Sequence, residues 1–164
     1  MRIILSFLFL FPCISAMAAS DGLDTLRYRG NTIVVNTDNL KEIYRQNGES
    51  IDGINVNWLY KGDITSRDRQ LYPKGTVVFA SIVYFPSTIA KMLKECISQE
   101  GIHDVKIYIR GDGYISIKYM IEQYHYRREL YDNGIIEVGY KEATDDNVTF
   151  LDNLIESIII IGKQ

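Results

Sequence analysis

Cysteine, histidine and proline are scarce in this chain, and each shortage closes off a class of protein. The 164 residues hold two cysteines, two histidines and three prolines. Cys13 falls in an N-terminal segment that reads as removable, so Cys96 stands alone and an intramolecular disulfide is excluded. Two histidines and one thiol leave little for a zinc site. The sequence has no Gly-x-Ser-x-Gly elbow, no His-Glu-x-x-His pair, no Walker phosphate loop and no dinucleotide-binding glycine fingerprint after a strand. No catalytic motif, metal or cofactor is therefore expected. Excess charge is missing too: the net charge of −3 argues against nucleic acid or an anionic membrane surface as a partner.

The first residues carry the one address. Met1-Arg2 is a short basic start, Ile3–Phe11 is an apolar run too short to anchor in a bilayer, and Ala16-Met17-Ala18 is a small-x-small cleavage site. These three parts make a secretory signal peptide over residues 1–18, leaving 19–164 as one globular domain. A domain of this size can bury a core without staples. With a single remaining cysteine it fits a bacterial envelope protein, periplasmic or secreted, better than a eukaryotic secreted one, for which alone the Asn147-Val148-Thr149 sequon would matter.

The stretch Asp104–Lys141 organises the rest. Val105, Ile107 and Ile109 alternate with Lys106, Tyr108 and Arg110; Ile115, Ile117, Tyr119 and Ile121 alternate with Tyr114, Ser116 and Lys118. Gly111-Asp112-Gly113 and Asp132-Asn133-Gly134 supply residues that accept positive φ, the second as a type I′ hairpin. A three-stranded antiparallel meander follows, with Ile136, Val138 and Tyr140 inward on its third strand. Its middle strand is long, and a bulge or bend near Met120–Gln123 would swap its faces.

Around it, residues 19–30 read as frayed, Thr32–Asn36 and Ile54–Tyr60 as strands, and Thr76–Phe85 as a central strand covered on both faces. Helices are expected at 38–47 (capped by Asn36 or Thr37), at 87–100 with Cys96 on its apolar stripe, and at 146–158 (capped by Asp145 or Asp146). Ile158–Ile161 suits helix or strand. Lys61–Gly75 lacks periodicity and reads as a solvated connection or a recognition loop. The expected fold is a two-layer α+β domain: a mixed, mostly antiparallel sheet with about three helices packed on one face.

His103 reads as a surface residue at a helix-to-strand corner. Strand alternation puts His125, Arg127 and Glu129 on one face and Tyr124, Tyr126 and Arg128 on the other. A histidine between a carboxylate and a guanidinium can do acid–base chemistry, though no motif supplies a nucleophile. The 12 tyrosines are the more telling feature, several on strand faces expected to be wet: Tyr108, Tyr114, Tyr124 and Tyr126. Tyrosine, tryptophan and arginine suit protein-binding surfaces, and tyrosine is also simply a good strand residue. The build is similar to small periplasmic inhibitor and immunity proteins, a likeness of class resting on no shared motif. The leading expectation is an exported domain, monomer or homodimer, that binds another protein by occlusion, such as an envelope-directed toxin or hydrolase. Arg67, Arg69, Tyr72, Tyr124, Tyr126 and Arg128 are its candidate anchors. The alternatives are a small hydrolase or ligand-binding enzyme centred on His125, and a structural envelope or surface-appendage component.

Overall fold

The computed structural model describes residues 22–48, 52–63, 75–83, 91, 93, 94 and 98–162. Among them run ten strands and one complete helix: β1 (Leu23–Tyr28), β2 (Asn31–Asn36), β3 (Leu40–Gly48), β4 (Gly53–Tyr60), β5 (Val77–Val83), β6 (Ile102–Arg110), β7 (Tyr114–Ile121), β8 (Tyr124–Tyr131), β9 (Ile136–Ala143), α1 (Val148–Ser157) and β10 (Ile159–Ile161). They form two sheets. One is small, in the order β1-β2-β10; the other has seven strands in the order β3-β4-β5-β9-β8-β7-β6. Every pairing among the described residues is antiparallel, so the expected mixed sheet is corrected.

The period-two patterns become the core directly. Ile54, Val56 and Trp58 of β4 lie opposite Ile82, Ala80 and Val78 of β5, which lie opposite Ile136, Val138 and Tyr140 of β9. All nine are buried, and Leu26, Ile33 and Val35 of the small sheet close over them together with Leu151, Leu154 and Ile155 of α1. This burial of contiguous apolar surface is the main stabilising term of the fold. A second cluster lies on the opposite face at the far end of the large sheet: Ile115, Ile117, Tyr119 and Leu130, with Leu93 and Ile102 against it.

Four expectations are corrected. Residues 38–47 do not form a helix: Leu40, Ile43 and Tyr44 have helical spacing, but a bulge between Glu42 and Tyr44 produces it within β3, whose pairing with β4 sets the backbone. The 19–30 stretch is not frayed throughout, since β1 pairs with β2 along its whole length and Leu26 is fully buried. The long middle strand of the meander is two strands. Glu122-Gln123 reverses the chain, with Glu122 at φ 54, so that Ile121 lies opposite Tyr124 and the meander has four strands. Finally, neither Asp145 nor Asp146 caps α1; Asn147 holds that position, its Oδ1 accepting from the Thr144 N–H at 2.8 Å and its Nδ2 donating to Thr76 Oγ1 at 3.1 Å.

Other readings hold. Asn133 and Gly134 adopt positive φ (55° and 89°), although the loop they occupy, between Tyr131 and Ile136, is longer than a two-residue hairpin. That loop touches the Gly111–Gly113 turn, the Asn133 N–H donating to the Gly113 carbonyl at 3.2 Å. The 146–158 helix is present as α1, and Ile159–Ile161 is a strand. Of the helix expected at 87–100, Lys91, Leu93 and Lys94 are helical and most of the remainder lies outside the described residues, as do Cys96 and the signal segment. Among the described residues the expected count of three helices is not met.

Candidate functional site at the open end of the large sheet

The apolar side chains of the small sheet and α1 pack mainly on the β4–β5–β9 part of one face of the large sheet. Past β9 the same face continues onto β8, β7 and β6, and its chemistry changes. Register sets Arg127 opposite Tyr140 and Lys118, and Glu129 opposite Val138 and Ser116. The His125–Arg127–Glu129 face read from alternation is thus real, but it is turned inward: Arg127 is 5% exposed and Glu129 1%. Sequence alternation groups the three side chains without showing that Arg127 meets the carboxylates of α1, that Glu129 is held by Tyr114 and Ser116, and that His125 stays part-exposed beside Asp145.

Every charge in this interior is matched. Glu129 accepts from Arg127 Nε at 2.7 Å, from Ser116 Oγ at 2.8 Å and from the Tyr114 hydroxyl. The other side of Arg127 meets α1, with Nη1 donating to Asp152 Oδ1 at 2.8 Å and to Glu156 Oε1 at 3.3 Å. Asp152 also accepts from Lys118 Nζ at 2.8 Å and from the Tyr140 hydroxyl at 2.9 Å. No buried side-chain polar atom among the described residues lacks a partner. Burial opposes the charge on Arg127, but its bonds to Asp152 and Glu129 outweigh it and hold the guanidinium protonated. Burial likewise pushes the Asp152 carboxyl up, yet the donors Lys118, Arg127 and Tyr140 hold it below its ordinary value. Tyr114 and Tyr140 are raised, by burial first and then by the carboxylates they face.

This network forms the base on which an aromatic cluster stands. Tyr114 hydrogen-bonds Glu129, its ring lies 5.0 Å from that of Tyr131 and 6.1 Å from that of Tyr108, and the Arg110 guanidinium sits 4.9 Å from its centroid. Tyr108 is 59% exposed. At the opposite end of the same strands, a cleft of about 430 Å³ is lined by Asp104, Lys106, Lys118, Met120, His125 and Asp152, among others. His125 Nε2 lies 2.7 Å from Asp145 Oδ1 there. The described lining contains no serine, threonine or cysteine to serve as a nucleophile.

The sequence-derived anchors are scattered. Arg67, Arg69 and Tyr72 lie outside the described residues. Tyr124, Tyr126 and Arg128 share the other face of β8. Tyr126 stacks on Tyr119 with ring centroids 5.1 Å apart, and Arg128 Nε donates to Glu137 Oε1 at 2.6 Å, so these two are engaged within the domain. The expectation that Tyr126 stands on a wet face is corrected; the two-residue turn keeps it opposite buried Tyr119. Of the tyrosines expected on wet faces, Tyr108 and Tyr114 are brought together, with Arg110, which is not among the sequence-derived anchors although it lies two residues from Tyr108 on the same strand face. His103 is at the start of β6, its ring bonded to Asp104 Oδ2 and the Glu122 carbonyl, each at 2.8 Å. Among the described residues no acidic, histidine or cysteine cluster fits a metal ion, and no helix is long and apolar enough to cross a membrane. Compared with known protein families, curated proteins and solved structures, the chain matches none.

Proposed function

We propose that the chain is an exported protein-binding domain that acts by occlusion, in the manner of a small periplasmic inhibitor or immunity protein set against an envelope-directed toxin or hydrolase. The observation that carries this reading is the Tyr108–Arg110–Tyr114 cluster. Tyrosine and arginine side chains offer large contact area, a polar tip and few torsions to freeze, and such residues dominate the energetics of protein interfaces. The cluster also rests on a fixed base: Tyr114 is tied through Glu129 and Arg127 to α1, so less side-chain freedom is lost on docking. Lys106, exposed on the same face of β6, favours a partner with acidic side chains around an apolar centre.

The test is capture of periplasmic proteins by the purified domain, repeated with Tyr108→Ser/Arg110→Ser. A stoichiometric partner retained by the native chain and lost by the variant supports the reading. Equal retention by both would remove this surface from consideration. A second reading, a ligand-binding or hydrolytic site, is favoured by the His125–Asp145 contact at the cleft. Turnover of envelope substrates abolished by His125→Ala, in a variant that stays folded, would support it.

A further inference from the structure

Strand β6 is the outermost strand of the seven, and its outer edge pairs with no strand among the described residues. It runs for nine residues and is exposed along nearly all of them. An open edge of this length presents unpaired backbone N–H and C=O groups, a template for another strand. Its side chains are unusually apolar for such a position: Val105 is 39% exposed, Ile107 42% and Ile109 62%. We infer that β6 pairs antiparallel with β6 of a second copy about a two-fold axis through Ile107, joining the two large sheets into one.

The register follows from chemistry. A two-fold perpendicular to the sheet sets each residue opposite one on the same face, so the axis passes through a residue rather than between two. Centred on Lys106, two lysines would face each other. Centred on Tyr108, Lys106 would meet Arg110 twice and Asp104 would meet Asp112. Centred on Ile107, no like charges are opposed. Ile107 meets Ile107, Val105 meets Ile109, Lys106 meets the Tyr108 ring, and Asp104, at the bulge that begins the regular strand, comes beside Arg110 of the second copy. Asp104 is 70% exposed and Arg110 56%; their present partners, His103 and Asp112, are exposed as well, so each can turn to the second copy. Opposed aromatic, apolar and opposite-charge pairs are the stabilising units of antiparallel sheets, and like charges directly opposite are destabilising.

The other end of the large sheet is less suited. In β3 a bulge between Glu42 and Tyr44 breaks the ladder, and Arg45 is bound to Glu42 and Asp24. Pairing at β6 alone closes on itself and gives a dimer rather than a filament. It also places the two Tyr108–Arg110–Tyr114 clusters side by side on one continuous face. The inference does not depend on the protein-binding role: the dimer can form whether or not that face has another partner.

Sedimentation equilibrium of the purified protein over a wide concentration range tests it, with circular dichroism confirming that each variant is folded. The native chain is expected to dimerise. Arg110→Glu should weaken dimerisation at least tenfold by setting carboxylates together, and Asp104→Lys in the same chain should restore most of the loss. A native chain that stays monomeric throughout overturns the inference. So does a dimer indifferent to Arg110→Glu, which would use another surface, a loss that Asp104→Lys fails to repair, or growth into open oligomers.

Discussion

Arg127→Met is the most informative single perturbation of the fold. It keeps the apolar stem and removes the guanidinium that joins β8 to α1. Asp152 would retain Lys118 and Tyr140. Glu129, only 1% exposed, would keep the Tyr114 and Ser116 hydroxyls but lose its cation. Removing one partner of a buried ion pair costs about 3–5 kcal/mol, because the other charge stays desolvated. For a domain of this size each kcal/mol lowers Tm by about 2–4 °C, so the expected fall is roughly 6–20 °C. Arg110→Met, compared at concentrations low enough to keep the chain monomeric, is the control: its ion pair with Asp112 is more than half exposed on both sides, and its loss should stay within about 0.5 kcal/mol. Thermal and urea unfolding by far-ultraviolet circular dichroism measures both. Adding Glu129→Gln to Arg127→Met should cost less than either change alone suggests, with a coupling of about 0.5–3 kcal/mol. Equal stability of Arg127→Met and Arg110→Met would refute the inward-turned face of β8.

Three further outcomes are expected. Asp152 is held below its ordinary value of 3.8, so the folded state binds fewer protons than the unfolded one as pH falls through that range; stability should drop as acid protonates it, and Asp152→Asn should flatten that slope in pH-dependent unfolding. Tyr114 and Tyr140 are raised above 10.0, so above that pH the unfolded chain loses phenolic protons that the folded chain keeps; stability should decline with rising pH, and tyrosinate absorbance should grow late and together with unfolding. If these two phenols titrate normally in the folded protein, their burial against carboxylates is wrong. Gly139→Ala should destabilise by about 1–3 kcal/mol, because a Cβ there would sit 2.1 Å from the Arg127 carbonyl and 2.7 Å from the Phe79 ring; an unchanged Tm would mean that β8 and β9 are not so close.

Much of the large sheet is legible in the sequence because its strands bury one face each. Ile115–Ile121 and Ile136–Tyr140 alternate cleanly, and a glycine-bearing turn precedes each. The Glu122-Gln123 reversal has no such signal, since glutamate is a poor residue at φ 54 and is held there by pairing on both sides. Helical spacing in β3 arises from a bulge, which single-sequence periodicity cannot distinguish from a turn of helix. The site was half legible for a similar reason. Alternation groups His125 with Arg127 and Glu129, but the burial of Arg127 against α1 is a contact in space rather than in sequence. Alternation alone puts Tyr126 on a wet face because the Glu122-Gln123 turn carries no signal, and the cluster around Arg110 forms only where β6 lies against β7.

The most direct measurement for the proposed function is affinity capture from periplasmic extract, comparing the native protein with Tyr108→Ser/Arg110→Ser and reading bound proteins by mass spectrometry. Retention of one stoichiometric partner by the native protein, with loss in a variant of unchanged circular dichroism, is the expected result. A partner retained equally by both, or none retained from an extract that contains the chain's natural neighbours, would contradict it.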